Sequence, residues 1–415
     1  MAGNILKYFQ GFFINPYPYK RGWESVMKRF KLTKEEMDAI AGKHPTPFLV
    51  VSLAKVEENY RFMRKHMPKV GIYYAMKANP EKAVLRKLAS IGANFDVASG
   101  GEIEALSELG IEPSRMIYAN TVKDFQGLET AQRVGLRRFT FDDITEISKI
   151  ARYVPHADVL VRISVANEKA MVDLNTKFGA EPSEALGLLQ AAKQAGLNPI
   201  GICFHVGSQS LSTAAYEEAM LLCRGLFNLA KEQGMSLTDL DIGGGFPVPS
   251  ADGLSVDLAQ MMESINRSAE RLFPDAEVWC EPGRYMCGTA VNLVASVIGT
   301  KDREDSRWYI LDEGIYGALS GIMYDHWTYP LYCFGKGKKH KSTFAGPSCD
   351  GIDVLYEDVM APRMEIGDRI LVADIGSYAS VSATRFNGFS IAPTLVFEEE
   401  VETSVGNSFG LQDAV

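Results

Sequence analysis

Long apolar runs, a basic excess and clustered cysteines are all missing from this 415-residue chain. No stretch of about 18 apolar residues runs uninterrupted, so nothing reads as a membrane-spanning helix. The six cysteines are widely spread and form no CxxC pattern. That spacing argues against a disulfide-stapled secreted framework and leaves small buried residues in a reducing compartment. A formal net charge of -9 disfavours nucleic acid as the main partner, because nucleic acid selects a basic surface. Small anions need only a local positive patch. HExxH and EF-hand patterns are absent as well, so no metal is expected. The opening "MAGNILKYFQGFFINPYPYK" has neither the basic start nor the continuous apolar core of a signal peptide. A soluble, cytoplasmic protein is the expectation.

Glycine is plentiful, at 37 residues, and much of it sits in tight clusters beside apolar runs. Such clusters suggest loops that approach a ligand closely. The chain exceeds the length at which one core keeps growing, so two domains are expected. From residue 46 short extended runs ("TPFLVVS", "GIYYAMKA", "ANFDVAS", "RMIYAN", "RRFTFD", "DVLVRISV", "GICFHVGS", "DLDIGGG") alternate with stretches of helical spacing. That is the rhythm of βα units, which build either a closed barrel or an open doubly wound sheet. Lys77, Asp96, Asn120, Arg162, His205 and Gly243 to Gly245 fall at the ends of successive strands. This is the face on which barrel sites assemble, and it favours a (β/α)8 barrel.

Past residue 285 the runs "VNLVASVIGTK", "RWYILDEG", "KSTFAGPS", "DRILVADIG" and "APTLVFE" are joined by turns, with few helical periods. The expected division is an N-terminal segment over 1–45 that adds a strand to the β domain, a cofactor-binding barrel over 46–285, and a mostly β domain over 286–415.

Lys77 stands at the mouth of an apolar strand, in "GIYYAMKANP". A desolvated amine there is expected to have a lowered pKa and to react with a carbonyl. A phosphate-bearing carbonyl cofactor would need an anion cradle. "DIGGGFP" offers backbone N–H groups, and "CEPGRYM" offers Gly283 and Arg284. Glu281 could keep a pyridine nitrogen protonated, and His205 could stack on an aromatic ring. Cys349 is the one cysteine in a polar, glycine-rich turn, "GPSCDGID", a context that suits a reactive thiol.

With "YYAMKANP", "FDVASGGEI", "IYANTVK", "FHVGSQ", "DIGGGFP", "EPGRY", "YDH", "GPSCDGID" and "SYASVSATRFNGF" in one chain, the sequence resembles the ornithine/diaminopimelate/arginine decarboxylase family of pyridoxal-phosphate enzymes. The likeness runs from about residue 46 to 400. It implies an alanine-racemase type of fold, a pyridoxal 5'-phosphate cofactor and a homodimer with shared sites. Carried over residue by residue, it makes Lys77 the Schiff-base lysine, His205 the ring-stacking residue and Glu281 the partner of the pyridine nitrogen. Ser208, Gly243, Gly244, Gly245, Gly283, Arg284 and Tyr378 match the phosphate-binding set. Asp96, Glu102 and Arg162 match the polar shell around lysine and ring.

Cys349 takes the position of a proton donor reaching in from the partner subunit. Tyr316, Asp325 and Asp350 match the pocket for a distal amine. The implied reaction is decarboxylation of a basic L-amino acid, ornithine foremost. Lysine, dual lysine/ornithine, diaminopimelate and carboxynorspermidine decarboxylation are the alternatives, as are racemization and a non-catalytic relative resembling antizyme inhibitor. The segment "HWTYPLYCFGKGKKHKSTFAG" between Asp325 and Cys349 is expected to be a short loop that helps set pocket length.

Overall fold

A computed structural model of the chain describes residues 29–165, 176–249, 256–303, 305–398 and 410–413. The first strand, β1 (Phe48–Ser52), belongs to a sheet taken up below. The next eight are β2 (Val70–Ala75), β3 (Asn94–Val97), β4 (Met116–Tyr118), β5 (Arg138–Phe141), β6 (Asp158–Ile163), β7 (Asn198–Phe204), β8 (Asp239–Asp241) and β9 (Glu277–Cys280). They pair in parallel with their sequence neighbours and close into a barrel.

The linking helices are amphipathic. The one over Leu53–His66 buries Val56, Tyr60 and Met63, and Ser52 caps its start by accepting the Lys55 N–H. Arg64, Lys65 and His66 fill its last turn, where cations complement the helix dipole. Alternation along the strands divides the apolar residues between two cores. Tyr73, Ile117, Leu160, Cys203 and Trp279 fill the barrel interior. Their strand neighbours Tyr74, Tyr118, Val161, Phe204 and Cys280 belong to the larger core that includes the surrounding helices. At the N-terminal end of β5, Arg138 plugs the barrel base. Its Nη1 donates to Tyr73 Oη at 2.6 Å, and its guanidinium lies 5.4 Å from the Trp279 ring centroid.

Beyond the barrel come β10 (Val291–Arg303), β11 (Ser306–Leu311), β12 (Leu331–Cys333), β13 (Lys336–Ala345), β14 (Val354–Arg363), β15 (Arg369–Val372), β16 (Thr394–Glu398) and β17 (Gly410–Asp413). With β1 they form a nine-stranded sheet in the order β14-β13-β11-β10-β1-β16-β17, while β15 pairs with both β10 and β12. A closed parallel barrel beside a mostly β second unit is the architecture expected from the sequence.

Three local readings differ. β1, grouped by sequence with the βα series, pairs antiparallel with β10 and parallel with β16. All five of its residues are buried, which requires neighbours on both sides, and alternation cannot name those neighbours. Residues 1–28, the larger part of the segment expected to add a strand, lie outside the described residues. Residues 34–41 form a helix with a Thr33–Glu36 capping box, and its Met37 and Ile40 pack with Phe48 and Val50. The stretch between Asp325 and Cys349 is not a free loop, since β12 and β13 lie within it. Among the described residues no helix is long and apolar enough to cross a membrane.

Gly201 is paired with Asp239 across β7 and β8, and a Cβ added there would meet the Asp239 carbonyl oxygen at 2.0 Å. Gly201→Ala should therefore cost about 2 kcal/mol or more by forcing the two strands apart. Gly187→Ala, in open space on the helix over Ala185–Gln194, should be neutral or stabilising by up to about 1 kcal/mol. Thermal melts of the two variants at one scan rate check the pair; an unchanged Tm for Gly201→Ala contradicts this strand register.

Candidate active site

The C-terminal ends of the barrel strands bring the ionisable residues together. β2 delivers Lys77 into the single turn Met76–Ala78, and that turn is held from both sides. Tyr74 Oη donates to the Asn79 carbonyl at 2.9 Å, Asn79 Nδ2 donates to the Gly376 carbonyl at 3.0 Å, and the Tyr378 N–H donates to the Ala78 carbonyl at 2.8 Å. Lys77 Nζ donates to Asp96 Oδ2 at 2.6 Å. The lysine side chain is 47 % exposed, against 1 % for Asp96, yet Asp96, Glu281 and Tyr378 all act on the amine. An amine both reachable and surrounded lies in a cleft. Burial lowers its pKa, but the charges of Asp96, Glu281 and Tyr378 outweigh burial, and the pKa stands above the usual lysine value. The lowered pKa expected from sequence is thus corrected: the strand desolvates the amine, but its acidic neighbours hold the proton.

Asp96, Asp241 and Glu281 form an acidic group beneath Lys77. Burial first, offset in part by hydrogen bonds from Glu281 and the Gly243 N–H, raises Asp241 to about 7. Burial and then the charges of Asp241 and Asp96 raise Glu281 well above the carboxylate range. Arg162 is the second cation here; its guanidinium carbon lies 5.0 Å from the Phe178 ring centroid, and Nε and Nη2 have no hydrogen-bond partner. His205 is neutral, because burial and then the charges of Arg162 and Lys77 push its pKa well down. Its Nδ1 accepts the Gly207 N–H at 2.9 Å, so the ring proton sits on Nε2.

The loop after β8 packs tightly over this group. Gly243 and Gly245 have φ of +65° and +99°, a region that disfavours side chains. A Cβ on Gly244 would stand 2.9 Å from His205 Nε2 and 2.7 Å from the Glu281 carbonyl oxygen. Tyr216 Oη fixes the loop by donating to the Gly244 carbonyl at 2.8 Å. Ser208 is half-buried in the loop after β7. A Cβ on Gly283 would touch the Ala78 side chain at 3.0 Å. Next to it, Arg284 Nη2 binds Asp325 Oδ2 at 2.5 Å, and Nη1 reaches Ser377 Oγ at 3.5 Å. Tyr378, at φ +57°, is a strained residue of the kind that gathers at functional sites.

The remaining residues form a second group. Tyr316 Oη donates to the Asp350 carboxylate, which lowers that acid's pKa, and the Tyr316 ring stacks on Phe386 at 4.2 Å. Cys349 is exposed, and its N–H donates to Asn387 Oδ1 at 3.0 Å. Buried Asp353 ties these turns together by accepting the Ile315 and Ser348 N–H groups. Asp325, matched with Asp350 to the distal-amine pocket, lies within this chain against Arg284. Asp241, Ser377, Trp327 and Asn387 were not picked out from sequence. For Asp241 a signal existed, since it opens "DIGGGFP" at the end of a strand.

Residues 53–288 match the family described as "Pyridoxal-dependent decarboxylase, pyridoxal binding domain". The chain is 68% identical over 376 residues to the lysine/ornithine decarboxylase of Selenomonas ruminantium, covering 91% of this chain and 96% of that one. A crystal structure of lysine decarboxylase from Selenomonas ruminantium superposes with a TM-score of 0.88 at 67% identity, over 90% of this chain and 98% of that one. The lysine/ornithine decarboxylase of Vibrio vulnificus, complexed with cadaverine, gives a TM-score of 0.84 at 34% identity, over 89% and 100% of the two chains. The chain belongs to the pyridoxal-dependent decarboxylases, and it is an enzyme that uses pyridoxal 5'-phosphate to decarboxylate an amino acid.

The residues present fit that cofactor. Buried atoms of Asp96, Arg162, Glu281 and Arg284 lack partners within the protein, beside a glycine loop that admits no side chain.

Glu102 offers a direct test of the site's electrostatics. Its carboxylate accepts the Ala98 N–H, and burial raises its pKa from 4.5 to about 7. Folding therefore takes up a proton between those values, and stability falls as pH rises through the window. Glu102→Gln should lose less Tm than the parent chain between pH 5 and pH 8, both measured without cofactor. Parallel Tm–pH curves contradict the assignment.

Proposed function

We propose that the chain is a lysine/ornithine decarboxylase that acts as a cytoplasmic homodimer. The observation that carries this reading is the 68% identity, over 96% of its length, to a relative bearing that name. In this reading Lys77 supplies the amine that anchors the cofactor's aldehyde. The Gly243–Gly245 loop, Ser208, Gly283, Arg284 and Tyr378 hold its phosphate, an anion suited to backbone N–H groups and a guanidinium. Neutral His205 packs on the ring, and Glu281, whose raised pKa favours a shared proton, faces the ring nitrogen. Asp96, Glu102 and Arg162 complete the polar shell. The bound cofactor supplies an electron sink for the pair left behind when the carboxylate departs.

The substrate's distal ammonium falls to Asp350, oriented by Tyr316, and to Asp325. A charged head needs acidic partners once desolvated, which disfavours neutral side chains. Cys349 delivers the proton to the α carbon. Its place in an exposed turn, with Tyr316 and Asp350 rather than around Lys77, supports its serving a second chain's cofactor. An enzyme for ornithine alone differs from the dual reading only in how the pocket accommodates one methylene.

Carbon dioxide release from L-ornithine, L-lysine, L-arginine and meso-diaminopimelate separates these readings. A single methylene is worth roughly 10- to 200-fold in a specific pocket. The dual reading predicts kcat/KM for lysine and ornithine within about tenfold of each other, with the other two far behind. A preference for ornithine above about a hundredfold contradicts dual use, and no release from either contradicts both. The shared site has its own test. Lys77→Ala and Cys349→Ala chains, each inactive alone, should regain activity when mixed and re-associated, because mixed dimers hold one complete site. Persistent inactivity contradicts a site built from two chains.

A further inference from the structure

Arg284 is 7 % exposed and Asp325 is 20 % exposed. Their 2.5 Å ion pair is the principal polar contact of the guanidinium, whose Nη1 reaches Ser377 only at 3.5 Å and whose Nε has no partner. The guanidinium carbon lies 5.3 and 5.0 Å from the ring centroids of Trp327 and Tyr378, so aromatic surface occupies space that water would otherwise fill. Among the described residues no other cation lies within ion-pair distance of Asp325. It follows the short helix Gly321–Tyr324 and precedes His326, at φ +49°, in a tight turn at the rim.

We propose that Asp325 competes with the cofactor's phosphate for Arg284 and is handed over to the substrate's distal ammonium, so that cofactor and diamine binding strengthen each other. This rests on the decarboxylase reading of the same site. Two anions on one guanidinium repel each other, and in a partly dry setting that repulsion is weakly screened. Phosphate at Arg284 loosens the Asp325 carboxylate, and an ammonium at that carboxylate removes the competitor for Arg284. The coupling is reciprocal: each ligand raises the other's affinity by the same factor. A carboxylate that merely oriented Arg284 would act with the opposite sign, since its loss would weaken phosphate binding.

Calorimetry on the full chain stripped of cofactor decides between them. Inorganic phosphate should bind about fivefold or more tightly with 1,5-diaminopentane present than without it; equal affinities overturn the proposal without any variant. In Asp325→Asn, phosphate and pyridoxal phosphate should bind about twofold to fivefold more tightly than in the parent chain, and the diamine effect should vanish. Weaker binding by Asp325→Asn makes the residue a support for Arg284 and overturns the exchange. Failure of the parent chain to bind pyridoxal phosphate at all would instead overturn the decarboxylase reading, and this proposal with it.

Discussion

The ion pair between Lys77 and Asp96 is the contact on which the site depends. Three acids, Asp96, Asp241 and Glu281, are drawn to one end of the barrel, where burial and mutual repulsion oppose their charge. Such a group is tolerable only with cations among it or protons upon it. Lys77 and Arg162 are those cations, and the raised pKa values of Asp241 and Glu281 mark where protons take over. Burial keeps His205 neutral, and the charges of Arg162 and Lys77 add to it. Burial, together with the charges around it, thus sets the protonation of Asp241, Glu281 and His205.

Holding that balance in place needs both units of the fold. The turn bearing Lys77 comes from the barrel, but its Asn79 and Ala78 bond the Gly376 and Tyr378 backbone just past β15. A Cβ at Gly376 would stand 1.8 Å from the Cys287 carbonyl oxygen, so this segment is pressed against the short helix that presents Arg284. Lysine and arginine are braced by one strip of chain that emerges from the sheet. The site lies at this seam, which explains why a lysine with a half-exposed side chain can still be surrounded by charge.

The barrel and the lysine end of the site were readable from the sequence because strand ends and glycine clusters carry positional information. Lys77, Arg162, His205 and Gly243 to Gly245 stand where a βα rhythm places them. What was not readable depends on long-range pairing. β1 looks like any barrel strand, and only its partners β10 and β16 make it part of the sheet. The pairing of Asp325 with Arg284 joins residues 41 apart in sequence, and nothing local announces it. The lowered pKa expected for Lys77 failed for a related reason: the strand's apolarity was visible, whereas Asp96, Glu281 and Tyr378, which raise it, come from other parts of the chain. β14 escaped notice because "VLYEDVMAPR" mixes exposed acids with buried residues and contains a proline, which blurs a period of two.

In the proposed function Lys77, and no other amine, meets the cofactor's aldehyde at the barrel mouth. Borohydride treatment of the protein with pyridoxal phosphate, followed by proteolysis and peptide mass spectrometry, tests it most directly. One phosphopyridoxyl group is expected, on the peptide containing Lys77. A label on another lysine, or a Lys77 peptide of unchanged mass, would contradict it.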